Sequence, residues 1–247
     1  VTGWNALIPE VESIPGHLSE AFRRFQTQRP RPIQLEVPTD VLAQEADVEL
    51  PLPVDYPPKQ GHPDQVERAA RLLAGASRPA IWVGSGLISS NATPELLELC
   101  ELLQCPVTTT HGGKGAIPDD HPLALGCSLG GRGYGSNPIH DFLETCDCLL
   151  VVGSSLPYRS TVEVGLKLPP RLLHVDIDSQ VFGNNYPAEL AIEGDARAVL
   201  AQLVHALKGR ETAKSENRLK ELRGIKSQVL QRLHEEGPNQ QRTMDAL

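Results

Sequence analysis

A short apolar run that ends in glycine, PAIWVGSG at residues 79–86, constrains the fold more than any other stretch of this sequence. Its apolar core, AIWV, is too short for a helix and is typical of a strand that is buried on both faces. Helical patterns precede the run at residues 64–76 and follow it at residues 91–103. A buried strand between two helices indicates an α/β unit, and in such sheets ligands bind beyond the carboxyl ends of the strands.

The alternation of strand and helix patterns continues along the chain. Strands are predicted at residues 80–83, 105–109, 148–152, 171–177 and 188–192, and helices at 64–76, 91–103, 138–145 and 195–207. This alternation predicts an α/β fold: an open, mostly parallel, five- to six-stranded Rossmann-like sheet with helices on both faces. Residues 111–135 are rich in glycine and have no period, which predicts a long loop that faces a ligand.

The composition of the chain predicts four segments. Residues 1–43 begin with a connector and continue with a helix and a strand, and residues 44–63 form a proline-rich, extended linker. Residues 64–208 form a central, nucleotide-binding-like domain, and residues 209–247 form a charged helical linker. Residues 240–247 resemble the start of another unit, and the first residues resemble the middle of a domain. We therefore expect the chain to be a piece of a longer protein.

Charge and cysteine content narrow the possible partners and compartments. The net charge is −8 and no run of Lys or Arg stands out, which argues against nucleic acid or a membrane as a partner. The five cysteines form no C-x-x-C pair, so buried, reduced thiols are favoured over a metal site. No signal peptide pattern is present at the first residue. These features predict a cytoplasmic protein.

Small and acidic residues follow several predicted strands, at Gly84-Ser85-Gly86, residues 109–113, Gly153-Ser154-Ser155 and Asp176-Ile177-Asp178. Glycines allow a ligand to approach the backbone, and a carboxylate at a strand end can accept hydrogen bonds from ribose. These residues suit a ligand that contains a nucleotide. The sequence also permits ordinary strand ends, because Ser89 stands where the dinucleotide fingerprint has its third glycine. Both interpretations remain open at this point.

Several stretches together resemble the thiamine-diphosphate-dependent enzymes of the acetolactate synthase and benzoylformate decarboxylase superfamily. IPGHLSEAFRRF and RPIQLEVPTDV, at residues 14–25 and 31–41, resemble the tail of the pyrimidine-binding domain of that superfamily. The resemblance to the central domain is carried by RPAIWVGSG (78–86), CPVTTTHGGKGAIPDDHPLALG (105–126), CDCLLVVGSSL (146–156), LLHVDIDS (172–179) and IEGDARAVL (192–200). These stretches occur in the order of the family and cover most of the chain.

The resemblance implies an enzyme whose catalytic parts lie in other domains. In this family thiamine diphosphate and Mg²⁺ bind between a pyrimidine-binding and a diphosphate-binding domain, so no residue of this chain is assigned a catalytic or metal-binding role. The resemblance implies a transferase or lyase that acts on a 2-keto acid and assembles as a dimer or tetramer. We expect this chain alone neither to bind thiamine diphosphate nor to turn over.

The resemblance also implies candidate ligand contacts within the central domain. That domain holds FAD in the acetolactate synthase branch and ADP in oxalyl-CoA decarboxylase, and it is mainly a scaffold in other branches. The positions that match the flavin-contacting pattern are Gly84, Gly86, Gly126, Gly153, Arg159, Asp176, Ile177 and Asp195. Ser155 and the pair Cys127-Ser128 depart from the pattern of the acetolactate synthase branch. An FAD- or ADP-binding module and a docking domain without a ligand therefore both remain possible.

Overall fold

A computed structural model describes residues 2–128, 137–212 and 216–236. The chain separates into two compact units, Val1–Lys59 and Gln60–Leu247. The predicted start of a further unit at residues 240–247 lies outside the described residues, as does the end of the glycine-rich stretch. Among the described residues, no helix is both long enough and apolar enough to cross a membrane.

The unit Val1–Lys59 contains two short parallel strands joined through a helix. Its elements are β1 (Trp4–Leu7), α1 (Ile14–Thr27), β2 (Ile33–Glu36) and α2 (Thr39–Leu42). β1 pairs with β2 in parallel, with Trp4 opposite Ile33. The expectation that only a connector precedes the first helix is therefore wrong, since residues 4–7 form a strand. Residues 43–59 adopt neither helix nor strand, as the density of prolines in that stretch requires.

The described residues of the unit Gln60–Leu247 form a sheet of six parallel strands. They are β3 (Pro79–Val83), β4 (Val107–Thr109), β5 (Ala124–Cys127), β6 (Cys148–Val152), β7 (Leu172–Asp176) and β8 (Leu190–Glu193). The spatial order of the strands is β5-β4-β3-β6-β7-β8. This order confirms the predicted open parallel sheet and sets its strand number at six. β5 lies inside the stretch that the sequence predicts as loop, so that prediction is wrong at residues 124–127.

The helices of this unit form two groups. They are α3 (Pro63–Ala74), α4 (Ser85–Ser89), α5 (Thr93–Leu103), α6 (Pro138–Glu144), α7 (Ala196–Leu207) and α8 (Glu216–Glu236). α3 and α5 each pack against α7, whereas α6 packs against α8. The chain crosses outward from β3 to β4 through α5 and returns from β5 to β6 through α6. Right-handed crossovers in opposite directions place these two helices on opposite faces of the sheet.

The core lies where these helices cover the central strands. Every residue of β3, β6 and β7 is buried, as expected for parallel strands that are covered on both sides. α3 contributes an apolar stripe of Val66, Ala69, Ala70 and Leu73, which are all buried. The five cysteines are free and four of them are buried in this core. Burial raises the pKa of Cys100, Cys146 and Cys148 to about 12, so these thiols stay protonated.

The last helix, α8, is docked on the sheet along the edge formed by the amino ends of the strands. Leu222 is fully buried, and Arg218 donates to the carbonyl oxygens of Ser77 and Gln104 at 2.6 and 2.9 Å. These two carbonyls precede β3 and β4. Further along, Lys226 donates to the carbonyl of His121, which precedes β5, at 2.9 Å. The described part of α8 is therefore an integral layer of this unit.

Candidate functional site

The candidate site lies where the strand order changes direction. From β3 the chain moves outward to β4 and β5, and it then returns to β6 and continues outward on the other side to β7 and β8. The connections after β3 and β6 therefore lead away in opposite directions from these two neighbouring strands, and open parallel sheets have a crevice above such a point. In open parallel sheets this switch point is where ligands bind. We call it the switch-point crevice and define it by the turns at residues 84–86 and 153–155.

Three predicted site residues, Gly84, Gly86 and Gly153, interlock at the base of the crevice. The amide of Gly86 donates to the carbonyl of Gly153 at 3.0 Å. A Cβ on Gly86 would lie 2.7 Å from Cα of Gly153, and a Cβ on Gly84 would collide with the carbonyl oxygen of Gly153. Gly153 also has a φ of +60°, which disfavours any residue with a side chain. The glycines therefore allow the two turns to pack backbone against backbone.

The loop that follows β6 begins at this interlock, and side chains from later parts of the unit hold it by hydrogen bonds. We call residues 153–161 the β6 loop. The imidazole Nε2 of His174 donates to the carbonyl of Ser154 at 2.8 Å, and Nδ2 of Asn185 donates to the carbonyl of Leu156 at 2.8 Å. The Thr161 hydroxyl lies 3.0 Å from the carbonyl of Pro157. The base of the loop is thus fixed from β7 and from the connection between β7 and β8.

Arg159 lies at the exposed tip of the β6 loop, beside the exposed Tyr158. Its guanidinium makes no hydrogen bond or ion pair with the residues that the structure describes. A guanidinium at a switch point suits a phosphate, since its fork of N–H donors matches phosphate oxygens. Of the predicted site residues, Arg159 is the one with a cationic side chain available to a ligand.

The predicted carboxylates lie beyond β6, after β7 and β8, and are partly engaged by the fold. Asp176 ends β7 and is only 7% exposed, and its Oδ1 accepts from the amide of Asp178 at 3.0 Å. Ile177 follows it and is half-buried. Asp195 caps α7, because its Oδ1 accepts from the amide of Ala198 at 3.0 Å. This cap occupies one carboxylate oxygen of a residue that is also a candidate ligand contact.

Gly126 lies two strands away from the crevice, in β5. It has a φ of +89°, and among the described residues no atom lies within 4 Å of the position of a Cβ on it. Its carbonyl accepts from the hydroxyl of Thr108 at 3.1 Å. Next to it, the hydroxyl of Ser128 forms a hydrogen bond of 2.7 Å with Nε2 of His140. Burial lowers the pKa of His140, which favours its neutral form.

The structure therefore gathers the predicted residues along one edge of the sheet rather than in one pocket. Gly84, Gly86 and Gly153 are in contact, and Asp176 and Ile177 lie at the end of the neighbouring strand β7. Gly126 lies in one outermost strand, β5, and Asp195 follows the other, β8. Six strands span about 24 Å at the usual strand spacing. Only an extended ligand could contact the whole set.

Sequence reasoning missed His174, Asn185 and the pair Ser128–His140. One signal for His174 was present, because an ionisable side chain inside the apolar run RLLHVDI requires a hydrogen-bond partner. Asn185 lies between predicted strands and carried no signal. Among the described residues, no group of three or more His, Cys, Asp or Glu side chains could hold a metal ion.

Comparison with known proteins assigns the central part of this chain to a family. Residues 66–203 match the family described as thiamine pyrophosphate enzyme, central domain. A probable acetolactate synthase large subunit from Methanocaldococcus jannaschii is 38% identical over 234 residues, which cover 92% of this chain and 39% of that protein. A probable 2-ketoarginine decarboxylase from Pseudomonas aeruginosa is 32% identical over 227 residues, covering 90% of this chain and 39% of that protein.

A solved structure shares the fold. Benzoylformate decarboxylase from Polynucleobacter necessarius matches with a TM-score of 0.71 and 20% sequence identity, over 88% of this chain and 40% of that chain. At this level of identity the likeness concerns the fold alone. This chain spans 39% of the length of each of the two curated relatives described above.

Proposed function

Since the chain belongs to the thiamine pyrophosphate enzyme family through its central domain, we propose that it serves an acetolactate synthase-like enzyme that acts on a 2-keto acid. The observation that carries this proposal is the identity of 38% with an acetolactate synthase relative over 92% of the chain. The match thus extends beyond the central domain into Val1–Lys59. The reaction is a carboligation or a decarboxylation, which makes the whole enzyme a transferase or a lyase.

Catalysis in this proposal belongs to domains other than the two described here. Thiamine diphosphate and Mg²⁺ would bind between a pyrimidine-binding and a diphosphate-binding domain, and the enzyme would assemble as a dimer or tetramer. The exposed apolar side chains of Val1–Lys59 support such partners, since Phe22 and Leu7 are 63% and 58% exposed.

The role that we propose for Gln60–Leu247 is to hold the adenosine diphosphate part of FAD or ADP at the switch-point crevice. The crevice, the available guanidinium of Arg159 and the open space beside Gly126 fit such a ligand. Arg159 would bind the diphosphate and Asp176 would accept from the ribose, as carboxylates at this position do in related folds. The diphosphate, when bound, supplies the negative charge that the guanidinium neutralises.

A role as a scaffold without a ligand is the second candidate, and one specific observation favours it. The spaces that Gly84, Gly86 and Gly153 leave open are filled by the backbone of the opposite turn. These glycines are therefore explained by packing alone. Asp195 likewise has a structural task as a helix cap.

Visible absorption distinguishes the two roles. We expect the purified protein to carry flavin absorbance that is released on denaturation, or to gain thermal stability on addition of ADP. A ligand at 100 times its Kd stabilises a protein by about 2.7 kcal/mol, which is readily seen as a shift in Tm. A colourless protein whose Tm responds to neither FAD nor ADP would establish the scaffold role.

The acetolactate synthase-like assignment has its own test. The chain would be assayed with pyruvate, thiamine diphosphate and Mg²⁺, both alone and after it replaces the equivalent segment of the Methanocaldococcus relative. We expect no turnover by the chain alone and formation of acetolactate by the chimera. Turnover by the chain alone would contradict the assignment of catalysis to other domains, and a folded but inactive chimera would contradict the acetolactate synthase-like role.

A further inference from the structure

The buried side chain of His174 donates a hydrogen bond to the backbone of the β6 loop. His174 lies in β7, is 2% exposed, and its Nε2 lies 2.8 Å from the carbonyl oxygen of Ser154. A carbonyl only accepts, so Nε2 carries the hydrogen and Nδ1 does not. Nδ1 is buried and has no hydrogen-bond partner among the described residues. The ring packs edge-to-face on Phe182 at 5.0 Å, which fixes its orientation.

The loop that His174 holds contains a backbone conformation that needs support. Leu156 is buried and has a φ of +46°, a value that leucine rarely adopts. Its carbonyl accepts from Asn185 at 2.8 Å, while His174 holds the carbonyl two residues earlier. Such conformations persist only where the surroundings impose them, and they cluster at sites that bind ligands.

The support at the base of the loop contrasts with the exposure of its tip. Ser154 and Leu156 are buried, whereas Tyr158 is 58% exposed and Arg159 is exposed as well. The loop also begins at Gly153, which is locked against Gly86. The residues that precede Arg159 in the β6 loop are therefore held in place. The glycine interlock fixes the start of the loop, and His174 and Asn185 bind the carbonyls that follow.

We propose that His174 is a positioning residue of the switch-point crevice: by holding the carbonyl of Ser154 it presents Arg159 to the diphosphate of a bound nucleotide. This inference rests on the proposed nucleotide-holding role. His174 does not touch the ligand and acts through the β6 loop. Preorganisation of this kind spares the ligand the entropy cost of ordering the loop.

Two substitutions of His174 distinguish the effect of its hydrogen bond from the effect of its size. His174→Phe keeps a ring of similar size and removes the donor, whereas His174→Gln places an amide N–H near the position of Nε2. We expect His174→Phe to weaken binding of FAD and ADP about tenfold, the loss that corresponds to one buried hydrogen bond. We expect His174→Gln to restore most of the affinity. Equal weakening by both variants would overturn the proposal.

A matched control removes a comparable hydrogen bond outside the loop. The side-chain amide of Gln202 in α7 donates to the carbonyl of Gly61 at 3.1 Å and accepts from its amide at 2.9 Å, and both residues lie outside the β6 loop. Gln202→Met is expected to lower Tm to a degree similar to His174→Phe and to leave the affinity for FAD and ADP unchanged. If Gln202→Met weakened binding to the same degree, the effect of His174 would be one of general stability, and the positioning role would be rejected.

Amide hydrogen exchange tests, without any ligand, whether His174 and Asn185 hold the β6 loop in place. In His174→Phe the amides of residues 154–161 are expected to exchange faster, while those of β3 and β6 keep their protection. Should His174→Phe not fold, Asn185→Ala tests the same lock from the other side and is expected to give the same local acceleration. Acceleration spread evenly over the sheet, or none in the loop, would overturn the inference.

The same experiment separates this inference from the proposed function. A wild-type protein that binds neither FAD nor ADP, together with local acceleration in His174→Phe, would reject nucleotide holding and with it the role toward a ligand. Binding by the wild type together with a rigid loop in His174→Phe would reject the inference alone.

Discussion

The parallel strands of Gln60–Leu247 and those of Val1–Lys59 differ in how far they are buried. In Gln60–Leu247 the four inner strands, β4, β3, β6 and β7, are wholly buried. In Val1–Lys59 the strands alternate between half-buried and exposed residues. Large apolar side chains of this smaller unit are also exposed: Leu7, Leu18, Phe22, Phe25, Leu42, Leu50, Leu52 and Val54.

This difference shows that Gln60–Leu247 has a hydrophobic core of its own. Parallel strands depend on cover on both faces, and a two-stranded pair is marginal by itself. α1 exposes Leu18, Phe22 and Phe25, which are spaced along one face of the helix. We therefore expect the stability of the chain to reside in Gln60–Leu247, and we expect Val1–Lys59 to gain its cover from the partner domains proposed above.

The largest effect is expected from Gly153→Ala, at the glycine interlock of the larger unit. A Cβ at this position would lie 2.6 Å from the amide nitrogen of Leu87 in addition to its unfavourable φ. We expect the free energy of unfolding in urea to fall by about 3–5 kcal/mol. Gly165→Ala is the control, because Gly165 has a φ of +73° but no atom within 4 Å. Its expected cost is about 1–2 kcal/mol, and equal costs would show that the interlock contributes nothing.

A smaller loss is expected when α8 is released from the sheet. Arg218→Met leaves the carbonyls of Ser77 and Gln104 without their donors, so urea unfolding should show a loss of about 2–4 kcal/mol. The control is Arg223→Met on the exposed side of the same helix, with an expected change within about 0.5 kcal/mol. A loss as small as that of the control would mean that α8 contributes no stability to the larger unit.

The pH dependence of stability should come from histidines of the larger unit. Burial lowers the pKa of both His140 and His174 below the usual value of 6.5. Below pH 6.5 the unfolded chain therefore binds more protons than the folded one, and the stability falls until the pH reaches the folded pKa values. Urea midpoints should be level from pH 7.5 to 6.5 and decline from 6.5 to 5.5. His174→Gln should reduce this decline, and an unchanged decline would contradict the assignment.

The smallest effect on stability is expected in Val1–Lys59. Phe22→Asp changes an exposed side chain on α1, so the free energy of unfolding should change by no more than about 0.5 kcal/mol. The substitution should reduce self-association, as measured by sedimentation, because it breaks an exposed apolar face. Ala21→Asp, at a neighbouring buried position, should destabilise this unit. A cooperative loss of structure in Phe22→Asp would break the contrast between the two units.

The sequence predicted the fold class well because the central strands are continuous apolar runs between helical patterns. β1 and β5 were missed for physical reasons. The four residues of β1 are half-exposed and give no apolar run, and β5 contains Gly126 in a stretch without a period. α4 was also missed, because it has only five residues and its sequence, SGLIS, is typical of the end of a turn.

The candidate site was predicted only as a set of strand ends. Local patterns do not contain the spatial order of strands, so the sequence could not indicate that Gly153 packs on Gly86. For the same reason it could not pair His174 with the carbonyl of Ser154, 20 residues earlier. Arg159 was named through a family resemblance, and its exposure on a supported loop became visible only in three dimensions.

The docking of α8 has a further consequence for variation in this protein. Arg218 and Lys226 contact loops at the amino ends of the strands, whereas the switch-point crevice lies at their carboxyl ends. Substitutions at the two edges share no hydrogen-bond partners, so their effects on stability should add independently. The residues that attach α8 to the sheet and the residues of the switch-point crevice can therefore change independently during evolution. A substitution in one set does not require a compensating substitution in the other.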